Sequence, residues 1–77
     1  MFIMKNSKFK IVLTKDEEDI ITAECIELPG CITQGKTEAE ALSNIRDAIK
    51  GYLASLKKHK EKVPIIKEFH LAEISVY

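Results

Sequence analysis

Only one stretch of the chain carries a helical period, and everything else must fold around that fact. Ala41, Leu42, Ile45, Ala48, Ile49, Tyr52, Leu53 and Leu56 recur at steps of three and four, with Glu38, Glu40, Ser43, Arg46, Asp47 and Lys50 between them. That spacing puts one apolar stripe along one side of a helix. A lone helix with one stripe has no second helix to pack on, so its partner layer has to be a sheet. Thr37-Glu38-Ala39-Glu40 marks its start, with Thr37 capping a free amide and Glu40 reaching back to the Thr37 N–H in a capping box. Lys57, Lys58, Lys60 and Lys62 follow the last apolar turn, where cations complement the negative helix end, and Val63-Pro64 prevents the helix from resuming.

The sheet is written in three short runs before the helix. In residues 8–14, Phe9, Ile11 and Leu13 alternate with Lys8, Lys10 and Thr14, the period of two that buries one side of a strand. Lys15-Asp16-Glu17-Glu18-Asp19 is a polar turn, and the β-branched run 20–26 follows at once, which predicts a hairpin. Leu28-Pro29-Gly30 breaks that second strand, because proline lacks the ladder N–H and glycine accepts backbone angles other residues avoid. Residues 31–35 then form a short third strand. Beyond the helix, Ala72, Ile74 and Val76 in the run 69–77 face one way and predict a fourth.

Counting directions, the helix returns the chain so that strand four runs parallel to strand one. The expectation is a two-layer α+β domain of order β-β-β-α-β, one helix on one face of a four-stranded mixed sheet in the spatial order 3-2-1-4. At 77 residues this is one domain spanning 1–77, with its core in 8–77 and a flexible 1–7. With one sheet face uncovered, Val12, Ile20 and Ile26 on that face, joined by Ile74 and Val76, predict a homo-oligomer, most simply a dimer.

Charge and composition narrow the function classes. Twelve Lys+Arg balance twelve Asp+Glu, which removes the bulk basic charge of proteins that grip nucleic acid through phosphates. No apolar run approaches the ~20 residues of a membrane span and no secretory leader is readable, so the chain reads as cytoplasmic. There Cys25 and Cys31 are expected as reduced, buried thiols. With His59 and His70 they show no zinc-ligand spacing, so neither metal nor cofactor is expected. The acids of the first turn are clustered in a loop, unlike the converging strand carboxylates of a metal-dependent nuclease, and no enzyme activity is expected. Gly35 before the helix start belongs to no phosphate-binding loop.

The segment from Ala23 to Leu42, with its Leu28-Pro29-Gly30-Cys31 turn, Thr33-Gln34-Gly35 strand end and Thr37-Glu38-Ala39-Glu40-Ala41-Leu42 helix start, resembles the HicB-like antitoxin family. The resemblance covers about residues 8–64, and Asn44, Ile45, Ala48 and Tyr52 sit where that family places helix-face residues. It departs at Asp19-Ile20-Ile21, where the family has Gly-Tyr, and at Ile26, where it has proline.

The resemblance implies a partial RNase H-like fold and a protein-binding role: neutralising a HicA-type, RNA-cleaving toxin by covering its active site. For such a basic partner, Asp16, Glu17, Glu18, Glu24 and Glu27 are the candidate contact residues, chosen by charge. Full-length HicB proteins append a DNA-binding segment after this module. No second helical pattern follows here, so specific DNA binding by this chain alone is not expected. The alternative is a stand-alone domain of the same fold that binds a small ligand or nucleic acid without a toxin partner.

Overall fold

The computed structural model describes residues 8–63 and 65–76. Three strands, β1 (Ile11–Lys15), β2 (Ile21–Cys25) and β3 (Ile32–Gly35), precede one helix, α1 (Glu38–Lys58). The strands form an antiparallel meander in the order β1-β2-β3. Each strand starts or ends within a few residues of its expected bounds, and the expected flexibility of residues 1–7 lies outside the described residues.

Period-two alternation sorts β2 cleanly: Ile21, Ala23 and Cys25 are buried, while Thr22 is half-buried and Glu24 exposed. Cross-strand partners share a face. Ile11 lies opposite Cys25, Leu13 opposite Ala23, and Thr33 opposite Ala23 from the other side, so these residues form the face under the helix. The helix lies mainly on β3 and β2. Its Ala41, Ile45 and Ile49 complete the core with Leu28 and Cys31, and Phe9, Ile11, Leu13, Tyr52, Leu53 and Leu56 pack half-buried at its margin.

Gly35 lets the helix start come close. A Cβ at this position would meet the backbone of Ala41, with Ala41 Cα only 2.8 Å away. The cap forms as the sequence predicts on one side: the Glu40 N–H donates to Thr37 Oγ1 at 3.0 Å. Glu40 Oε1 accepts from the Lys36 N–H at 2.9 Å, one residue earlier than the expected Thr37 amide. At the far end Lys60 takes a positive φ of 58° and the Glu61 N–H donates to the Leu56 carbonyl, which closes the helix behind the exposed Lys57 and Lys58.

Among the described residues the expected fourth strand is absent; Tyr77, its last expected residue, lies outside them. Residues 69–76 have no strand partner, so the four-stranded mixed sheet of order 3-2-1-4, with strand four parallel to strand one, is corrected to a three-stranded antiparallel sheet and a β-β-β-α order. The physical reason is that alternation states only which side of a segment would be buried if it were paired. Holding residues in extended form costs ~1–2 kcal/mol each in backbone entropy, which a neighbouring strand has to repay. Lys10 Nζ donates to the Ile66 carbonyl at 3.0 Å and ties the start of the segment beside β1. Beyond it the chain leaves the sheet, with Ile74 and Val76 exposed.

Candidate functional site

The sheet face away from the helix is open, and its rows follow from the register. Val12, Glu24 and Ile32 lie side by side across the three strands, and Thr14, Thr22 and Gln34 form the next row. Val12 is half-buried and Ile32 is 52% exposed. Ile20 and Ile26, just outside β2, are also half-buried. The face is therefore a shallow apolar strip with one carboxylate, Glu24, in its middle.

The acidic turn sits at the end of this face where β1 passes into β2. Asp16 does not point its charge at a partner: its Oδ1 accepts the Glu18 N–H at 2.8 Å and the Ile20 N–H at 3.0 Å. The Asp16 N–H in turn donates to the Ile20 carbonyl, and the Asp19 N–H to the Asp16 carbonyl. Asp19 adopts φ 64°, a left-handed conformation that aspartate tolerates better than most residues. Asp16 thus builds the loop, which leaves the exposed Glu17, Glu18 and Asp19 to act outward.

Glu27 is placed elsewhere, and its grouping with the surface acids needs correcting. It is 5% exposed, and its carboxylate takes the Lys10 backbone N–H at 3.0 Å on Oε1 and the Lys10 ammonium at 3.3 Å on Oε2. The Cys25 thiol donates to Oε1 at 3.8 Å. Burial alone would raise the pKa of this carboxyl, but the Lys10 N–H, its own N–H and the Lys10 ammonium outweigh that and lower it. Glu27 holds the chain before β1 against the end of β2 and is unavailable to a partner.

The turn after β2 is structural throughout. Leu28 is fully buried, the Cys31 N–H donates to the Leu28 carbonyl at 3.0 Å, and Gly30 takes φ 81°. Tyr52 Oη donates to the Pro29 carbonyl at 2.9 Å, and Asn44 Nδ2 to the Gln34 carbonyl at 2.8 Å, so two helix side chains strap the turn and β3 to α1. Burial raises the pKa of Cys25 and Cys31 above the ordinary thiol range. Both thiols are protonated and inaccessible in neutral solution, a poor starting point for a nucleophile. His59 and His70 are exposed. Among the described residues no three His, Cys, Asp or Glu side chains come together as a metal site, and no helix is long and apolar enough to cross a membrane.

Two features escaped the sequence reading. Ile32 joins the open face directly beside Glu24, which the alternation of β3 could have shown once its register with β2 was known. The other is a lysine-rimmed hollow of about 1080 Å³ on the helix side, formed by residues 8–10, the second half of α1, residues 61–63 and Ile65 and Ile66. Its parts are scattered through the chain, and no local pattern joins them.

Comparison with known proteins gives a consistent set of relatives. A protein of Thermoplasma acidophilum named UPF0150 protein Ta0767 is 53% identical over 57 residues, which cover 74% of this chain and 83% of that protein. A UPF0150 protein of Archaeoglobus fulgidus is 41% identical over 54 residues, covering 70% and 77%. One from Synechocystis is 38% identical over 56 residues, covering 73% and 71%. No family model matches the chain.

Proposed function

This chain belongs to the UPF0150 family, and we propose that it is a HicB-like, antitoxin-type binding module that covers the active site of a small, basic, RNA-cleaving toxin of the HicA kind. The observation that carries the reading is the turn and helix start, Leu28-Pro29-Gly30-Cys31 followed by Thr37 to Leu42, which resemble those of HicB-like proteins. The open sheet face fits such a role. It offers an apolar strip of Val12, Ile26 and Ile32 for burial, Glu24 within it, and Glu17, Glu18 and Asp19 at its end to meet a surface made to hold RNA. A toxin that cleaves cellular RNA acts in the cytoplasm, and the same compartment is proposed for this chain.

The test is co-expression with a neighbouring gene product that is small and basic. If that product arrests growth, this chain should relieve the arrest and co-purify with it. Glu17→Lys combined with Glu18→Lys should weaken the complex by roughly 10- to 100-fold, mostly through slower association, with the loss shrinking at high salt. Failure to relieve the arrest, with the protein folded and abundant, would sink the toxin pairing and favour the stand-alone binding domain.

A further inference from the structure

The segment 65–76 is the least satisfied part of the molecule. Ile65, Leu71, Ile74 and Val76 are 93%, 81%, 85% and 87% exposed, a run of large apolar residues that a chain this small does not ordinarily leave in water. The segment alternates like a strand and lacks one to pair with.

The matching vacancy lies on the helix side of β1. The hollow floored by Phe9, Leu53, Leu56 and Val63 continues past Phe9 and Leu53 into a second of about 440 Å³ that reaches Ile11, Ile45 and Ile49. Together they make an apolar trough between α1 and β1. It runs beside an edge of β1 that, among the described residues, has no strand partner. The lengths agree: the helix from Leu42 to Leu56 rises about 21 Å, and residues 69–76 in extended form span about 23 Å. The charges are compatible, since Arg46, Lys50, Lys57 and Lys62 outnumber Glu27 and Glu61 along the trough and residues 69–76 bring one carboxylate, Glu73.

We infer that residues 69–76 of one copy lie along the trough and the free β1 edge of a second copy, and that the exchange is reciprocal. A second copy is the occupant because the start of the segment is already tied beside its own trough, through Lys10 Nζ and the Ile66 carbonyl, and Leu71, Ile74 and Val76 beyond it still stand in solvent. Each copy carries one donor segment and one acceptor trough, so a two-fold pair satisfies both and closes the assembly. The added strand covers the exposed β1 edge, as strand addition does in other complexes. Ala72, Ile74 and Val76 enter the trough side, while Leu71 falls on the other side of the added strand, and the open face around Glu24 and Ile32 is left free.

Sedimentation across a dilution series, with NMR on a mixture of isotopically labelled and unlabelled full-length chains, tests this. The expected result is a dimer with contacts between Ile74 methyls of one chain and the Phe9 ring of the other. Ile74→Asp should weaken the dimer about 100-fold or more, because it buries a charge in an apolar slot. Ile74 is exposed within its own copy, so circular dichroism should show the variant still folded. Ile32→Asp, on the open face, should leave the dimer unchanged. A single-chain mass at millimolar concentration would overturn the proposal. So would contacts confined to one chain, or a dimer that Ile32→Asp weakens and Ile74→Asp does not.

Discussion

Strand β2 and the segment 69–76 are written in the same code and meet opposite fates. Ile21, Ala23 and Cys25 alternate with polar residues and are buried; Ala72, Ile74 and Val76 alternate the same way and are exposed. Propensity does not separate them, since both are rich in β-formers. Neighbours do. β2 has a turn on each side that delivers a strand within a few residues: the Asp16 loop brings β1 and the Leu28-Pro29-Gly30 turn brings β3. The later segment follows a 21-residue helix and a linker, so it reaches the sheet only by closing a long loop. Alternation is a demand for a partner, and the distance along the chain decides whether the demand is met locally.

The strongest way to break this contrast is at Gly35. Gly35→Val would drive a branched side chain into the Ala41 backbone and lift the helix start off β3. The expected loss is ~3 kcal/mol or more, in the range of severe overpacking, read as a fall in the urea midpoint. A loss under ~1 kcal/mol would mean that the helix start does not depend on this close approach.

A middle-sized effect is expected at the Lys10–Glu27 pair. Lys10→Met removes the ammonium and leaves the buried carboxylate with its backbone N–H partners, which should cost ~1–2 kcal/mol because Lys10 is itself partly in water. The pH dependence follows from the lowered pKa of Glu27. The unfolded chain binds the proton more readily, so the contribution is fully present above the ordinary glutamate pKa of ~4.3 and is lost as pH falls through the lower folded value. Acid titration of stability should therefore be shallower in Lys10→Met than in the parent protein. Equal slopes would show that the ammonium does not hold the pKa down.

The smallest effect belongs to the unpaired segment. Leu71→Ser, measured in dilute protein below any self-association, should shift stability by less than ~0.5 kcal/mol, as for other exposed positions. A loss near that of a core leucine, ~2–5 kcal/mol, would mean that the segment is packed on its own chain after all.

Much of the site was legible because its signals are local. The Asp16 loop, the Leu28-Pro29-Gly30 break and the Thr37 cap each involve residues within about five positions of one another, and each forms at the expected place. Even there, net charge could not distinguish Glu27 from Glu17 and Glu18. All three are acids next to strand ends, and only packing shows that Lys10, seventeen residues away, has taken Glu27 into the interior. The lysine-rimmed trough was illegible for the same reason, since parts of residues 8–10, 50–57, 61–63 and 65–66 meet there without any shared pattern.

By itself the sequence determined the three strands, the helix, their order and the faces of β1 and β2, because hydrophobic period, proline, glycine and capping residues act over a few positions. Only the tertiary structure decided the rest. It left residues 69–76 unpaired, turned Glu27 inward and Ile32 outward, and opened a trough beside β1. Each of these outcomes depends on which surfaces meet after loop closure, and the free energy of that meeting is not encoded in any one segment.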